Sequence, residues 1–134
     1  MTDKYLQYIR DYNYQLKYVG RLYVSKCKGT IDEEVSTRNL RRIVFIINEN
    51  PVFMLNETGP YLVQYAELIH NNQWDTFMNM EYKDIDDTPS GKTQIDILKK
   101  TFKLCTEKEK KIISTSVSEM LSIYCKYIIK VKSE

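Results

Sequence analysis

Apolar side chains recur every three or four residues along most of this chain, and no other feature constrains its fold as strongly. That spacing gathers them on one face of a helix, whereas a half-buried strand would need strict alternation. The first stripe runs through Tyr5, Tyr8, Ile9, Tyr12, Leu16, Val19 and Tyr23, and the last through Ile113, Val117, Met120, Leu121, Tyr124, Ile128 and Val131. Shorter stripes lie between them: Val35, Leu40, Ile43, Val44 and Ile47; Leu62, Tyr65, Leu68 and Ile69; Trp74, Phe77 and Met78; Ile95, Leu98, Phe102 and Cys105. The β-branched run Ile43-Val44-Phe45-Ile46-Ile47 could form a strand, but no second such run exists to pair with it. The expected fold is all-α. It is a single-domain irregular bundle of about five or six helices over residues 1–134, with long first and last helices. A length of 134 residues suits one core, and only four Gly and three Pro leave little material for a loop-rich sandwich.

Local signals set the expected boundaries. Asp3 can cap the first helix, and Lys26, Lys28 and Gly29 supply a basic last turn and a residue able to take positive φ. Thr30 with Glu33, and Thr106 with Glu109, have capping-box spacing. Asn50-Pro51 reads as N-cap and first position of a short helix through Leu55, and Gly59-Pro60 as the end of that helix and the start of the next. Asn71-Asn72 breaks that helix in turn. Asp84, Asp86, Asp87, Pro89 and Gly91 mark residues 83–91 as a flexible loop.

Few residues offer chemistry. Cys27, Cys105 and Cys125 are odd in number and far apart, and His70 is the single His, so neither a disulfide framework nor a zinc site is expected. Reduced thiols imply a reducing compartment. The N-terminus shows no signal-peptide core, and the longest apolar run is five residues against the roughly 20 that span a bilayer. A cytoplasmic protein without membrane insertion is therefore expected. Gly91-Lys92-Thr93 resembles the tail of a phosphate-binding loop, but Asp86 stands where the first Gly is needed and would repel phosphate; the segment reads as a loop. Asp84, Asp86 and Asp87 begin like a calcium loop, yet Pro89 and Ile95 replace its Gly and Glu. His70 is expected to cap a helix end, and Ser114, Ser116, Ser118 and Ser122 to turn back onto the last helix. No catalytic residue, cofactor or metal ligand is assigned, and the chain is not expected to be an enzyme.

Charge and tyrosine give the positive hints. Residues 1–29 carry a net +4, residues 30–91 a net −7 and residues 92–134 a net +5. These segments either complement one another within the fold or expose a basic face built from Lys4, Arg10, Lys17, Arg21 and Lys99-Lys100-Lys103 toward nucleic acid or an acidic partner. Of the eleven Tyr, Tyr14 and Tyr18 fall off the main stripe of the first helix. A helix apolar over so wide an arc is either deep in the core or covered by a partner. Tyr14 and Tyr18, with Arg10, Lys17 and Arg21, form the expected partner surface, for a second copy or another protein.

Asn50-Pro51, Leu55, Gly59-Pro60-Tyr61-Leu62, Tyr65, Ile69, Phe77 and Tyr82, followed by Glu109-Lys110, Ile113, Val117, Leu121, Tyr124 and Tyr127, form a spacing that resembles small uncharacterised proteins of large nucleocytoplasmic DNA viruses. The resemblance covers roughly residues 50–128. It implies no activity and no catalytic residue; it implies infected-cell cytoplasm, with virion packaging as a further expectation. Three functions stay open at this point. The first is a non-enzymatic helical protein acting by protein–protein contact, as virion component or assembly factor. The second is a viral regulator that takes a host protein into a helical groove, as viral Bcl-2-like proteins do, and it rests on size and helix content alone. The third is a nucleic-acid-associated protein using the basic terminal helices. The periodicity itself is testable: Phe102→Ala is expected to lower stability by about 3–5 kcal/mol as a core cavity, read by thermal melting.

Overall fold

Two long helices lie antiparallel and carry the rest: α1 (Asp3–Cys27) and α7 (Glu107–Lys132). The computed structural model describes residues 3–79 and 89–133. Between the long pair come α2 (Glu33–Glu49), α3 (Phe53–Gln64), α4 (Ala66–His70), α5 (Trp74–Asn79) and α6 (Pro89–Leu104), with no strand among the described residues. The all-α bundle is as expected, with seven helices among the described residues where about five or six were anticipated.

Side chains from the two expected long stripes meet in two clusters. Near the start of α1, Ile9 and Tyr12 join Leu55 of α3 and Met120, Ile123 and Tyr127 of α7. Near its end, Tyr23 joins Phe102 of α6, Cys105 just after that helix and Ile113 of α7. Early α1 thus meets late α7, and late α1 meets early α7. Phe102 is 2% exposed, as its place in the periodicity required. Tyr12 also donates to Thr58 Oγ1, whose own proton goes to the Met54 carbonyl at 2.6 Å; this polar contact anchors α3 to α1.

The joints between helices are partly those the residue types foretold. Gly29 takes φ +81° beyond α1. Thr106 and Glu109 form the reciprocal capping box at 3.1 and 2.8 Å, and the Glu109 carboxylate also meets Lys26 at 3.0 Å, tying the start of α7 to the end of α1. Hydrogen bonds to the Thr106 N–H and then to Lys26 hold the Glu109 carboxyl below its ordinary pKa.

Four expected boundaries are corrected. Thr30 and Glu33 form no capping box: the Thr30 hydroxyl donates back to the Cys27 carbonyl at 2.6 Å, and Asp32 is the N-cap of α2. Asp32 makes no side-chain cap bond because its carboxylate is paired with Lys100 of α6. Asn50 closes α2 instead of opening α3, which starts at Phe53, while Asn13 of α1 holds the Pro51 carbonyl at 2.8 Å. Residues 83–88 of the expected loop lie outside the described residues, and Pro89 to Gly91 are helical, with Pro89 at the first position of α6, where its missing N–H costs nothing.

Gly59-Pro60 supplies the fourth correction, since α3 continues through both residues to Gln64 and breaks only at Tyr65. Gly59 is buried, and a Cβ there would come within 2.2 Å of the Tyr124 ring. The glycine serves as a notch that lets α7 lay an aromatic ring on the α3 backbone. Packing against α7 outweighs the weak helix preference of the pair. Gly59→Ala is therefore expected to destabilise by about 1–3 kcal/mol despite alanine's better helix propensity. Urea unfolding should show the loss, and the loss should shrink when Tyr124→Leu removes the ring.

Candidate functional site

The second stripe of α1 faces away from both clusters. Arg10, Tyr14, Lys17, Tyr18 and Arg21 follow one another at steps of four, three, one and three, which keeps them on one side of a helix. Tyr14 is 61% and Tyr18 41% exposed, so the wide aromatic arc of this helix extends into solvent and is not all core. Their rings stack on each other with centroids 6.4 Å apart and planes 18° from parallel. Arg10 and Arg21 are exposed and Lys17 half-buried, and none of the three forms an ion pair or side-chain hydrogen bond.

Two lysines of the basic end segments behave differently. Lys100 pairs with Asp32, and Lys26 with Glu109, so basic end segments and acidic neighbours neutralise each other at helix joints. α6 reaches α1 through Phe102 against Tyr23, on the core stripe, and its Lys100 is taken by Asp32.

A further feature went unread in the sequence. All five arginines of the chain, Arg10, Arg21, Arg38, Arg41 and Arg42, lie on α1 and α2, and all are exposed. The helices pack side by side, with Leu40 against Gly20, where an added Cβ would lie 2.8 Å from the leucine. Phe45, assigned no role by periodicity, is 64% exposed on α2. The confinement of Arg to two helices in a chain otherwise rich in Lys was the available signal.

The remaining residues of chemical interest are structural or solvated. Cys27 and Cys105 are buried around Thr101, with Cys27 Sγ 3.3 Å from its hydroxyl and Cys105 Sγ donating to its carbonyl at 3.4 Å; Cys125 is exposed. Burial, and then the nearby Glu109 carboxylate, pushes the Cys105 thiol up from its ordinary pKa. His70 is exposed at the last position of α4 and makes no capping bond. That helix closes instead on Asn72, whose φ of +55° lets the Gln73 N–H reach the Leu68 carbonyl at 2.9 Å. Ser114 does turn back, onto the Lys111 carbonyl at 2.9 Å. Gly91, Lys92 and Thr93 sit in the first turns of α6, which corrects their reading as a loop, while Asp84, Asp86 and Asp87 lie outside the described residues. Among the described residues no three His, Cys, Asp or Glu side chains are grouped to hold a metal, and no helix is long and apolar enough to cross a membrane.

No protein-family model, characterised protein or solved structure matches the chain.

The interior of the same helix sets an alkaline limit. Burial raises the Tyr12 phenol from 10.0 to about 12, and burial raises Tyr23 as well. Below pH 10 both phenols are neutral folded or unfolded, and stability is unaffected. Above it the unfolded chain releases protons that the folded chain keeps, so stability falls until the folded phenols ionise. Between pH 10 and about 12 the Tyr12 contribution to this loss is on the order of 2–3 kcal/mol. Chemical unfolding as a function of pH should show the decline, and Tyr12→Phe should flatten it.

Proposed function

We propose that this chain is a non-enzymatic protein that acts by protein–protein contact, presenting the Arg10–Tyr14–Lys17–Tyr18–Arg21 face of α1 to a partner. The stacked, solvent-facing Tyr14–Tyr18 pair flanked by cations without internal partners is the observation that carries this reading. Tyr and Arg dominate the energetics of protein interfaces, because each covers a large area and keeps a polar group for the partner. The ring pair is also pre-ordered, so docking on it loses little side-chain entropy.

The resemblance of residues 50–128 to small proteins of large nucleocytoplasmic DNA viruses adds a setting: a virion component or assembly factor, made in the cytoplasm of the infected cell. Proteomics of purified particles separates that role from a host-directed regulator, which particles would lack. The contact face is tested by comparing the proteins captured by the wild-type chain with those captured by Tyr14→Ala/Tyr18→Ala. A true partner should be lost by at least about tenfold while the thermal midpoint moves little, because both rings are largely exposed. Equal capture by the two chains would move the contact elsewhere.

A further inference from the structure

α2 is a long helix that the fold absorbs only slightly. Among its seventeen residues only Ile47 is buried, and one side rests on α1 through Leu40. The opposite side carries Glu34, Arg38, Arg41 and Phe45 at steps of four, three and four, a single stripe of exposed side chains. Just before the helix, Ile31 is 91% exposed. None of Glu34, Arg38 and Arg41 forms an ion pair or side-chain hydrogen bond. A shallow depression lined by Glu33, Glu34, Thr37, Arg38 and Arg41 marks the middle of the stripe.

This stripe complements its own reversal. About a point between Thr37 and Arg38, Glu34 and Arg41 lie equally far along the axis, about 5 Å to either side at 1.5 Å per residue. Phe45 lies about 11 Å from the same point, and Ile31 precedes the helix at its other end. We propose that α2 of a second copy docks antiparallel on this stripe, around a two-fold axis passing between Thr37 and Arg38. Glu34 of each copy then faces Arg41 of the other, and Ile31 of each faces Phe45 of the other. The two Arg38 guanidinium groups approach near the axis, where Glu34 from both copies flanks them. Each contact occurs twice, and the assembly closes as a dimer.

Charge complementarity selects this occupant over others. A polyanion or a uniformly acidic partner brought to Arg38 and Arg41 also meets Glu33 and Glu34. An apolar partner would strip water from unpaired arginines. The reversed stripe sets Glu34 against Arg41 on both sides of the axis and leaves only the Arg38 pair like-charged, with a Glu34 carboxylate on either flank. The inference goes beyond the function proposed above, whose face lies on α1: a monomer that still captures a partner through Tyr14 and Tyr18 defeats only the dimer.

Sedimentation equilibrium of the full chain tests it. The wild type should show a concentration-dependent monomer–dimer equilibrium, weakened by about tenfold or more in Arg41→Glu and in Phe45→Glu. Combining Glu34→Arg with Arg41→Glu exchanges the charges across the axis and should restore association to within about threefold of wild type. All three positions are exposed, so circular dichroism should remain unchanged in each variant. In a Cys125→Ser background, Thr37→Cys should oxidise to a symmetric disulfide-linked dimer. A wild type that remains monomeric to about 1 mM overturns the proposal. So does a dimer indifferent to Arg41→Glu, a charge exchange that recovers nothing, or a monomeric wild type whose α2 stripe binds an acidic peptide or nucleic acid instead.

Discussion

The antiparallel contact of α1 with α7 is the constraint on which the other elements depend. Neither helix alone has anything to cover its apolar stripe, and each stripe is long enough to need a partner of the same length. Once they pair, two separate clusters form along the seam, one closed by Leu55 from α3 and the other by Phe102 from α6 with Cys105 just beyond it. The short middle helices are therefore lids on a two-helix spine. Their own weak preferences matter less than where the spine has room for them. α3 shows this most clearly, since it stays helical through a glycine and a proline where Tyr124 fits against it.

That ordering explains what could be read from residues alone and what could not. Long stripes such as Tyr5–Tyr23 and Ile113–Val131 average out local noise, and they announced both spine helices, although the buried face of late α7 runs through Ile123 and Tyr127 and leaves Val131 exposed. The Thr106–Glu109 box was legible because its two bonds are local and have no competitor. Thr30–Glu33 has the same spacing, but the Thr30 hydroxyl is taken by the Cys27 carbonyl in the turn set by Gly29. Asp32 was equally ambiguous, since Lys100, far away in sequence, decides what its carboxylate does. Gly59-Pro60 misleads for a related reason: punctuation residues state a preference, and a ring from another helix can overrule it.

The candidate face on α1 was legible for a different reason. Tyr14 and Tyr18 stood out by failing to join the core stripe, and a side chain that breaks a strong pattern either faces outward or forces a wider core. The second face was missed because Phe45 hides within an apolar run, Ile43 to Ile47, whose outward member is apparent only once Leu40 is seen against Gly20.

Charge then separates into two uses. The basic ends and acidic middle suggest a long-range dipole, yet the fold resolves part of it into short joints, with Lys26 on Glu109 and Lys100 on Asp32. A lysine suits such a joint, being a point charge on a flexible stem that can reach whichever carboxylate the packing leaves nearby. Arginine carries a planar, always-charged fork that rewards a flat, well-placed acceptor, and this chain spends none of its five on its own joints. They remain on α1 and α2, interleaved with the exposed rings of Tyr14, Tyr18 and Phe45. The division is physical: lysines hold the bundle's joints, and the arginines stand beside exposed aromatic rings on α1 and α2.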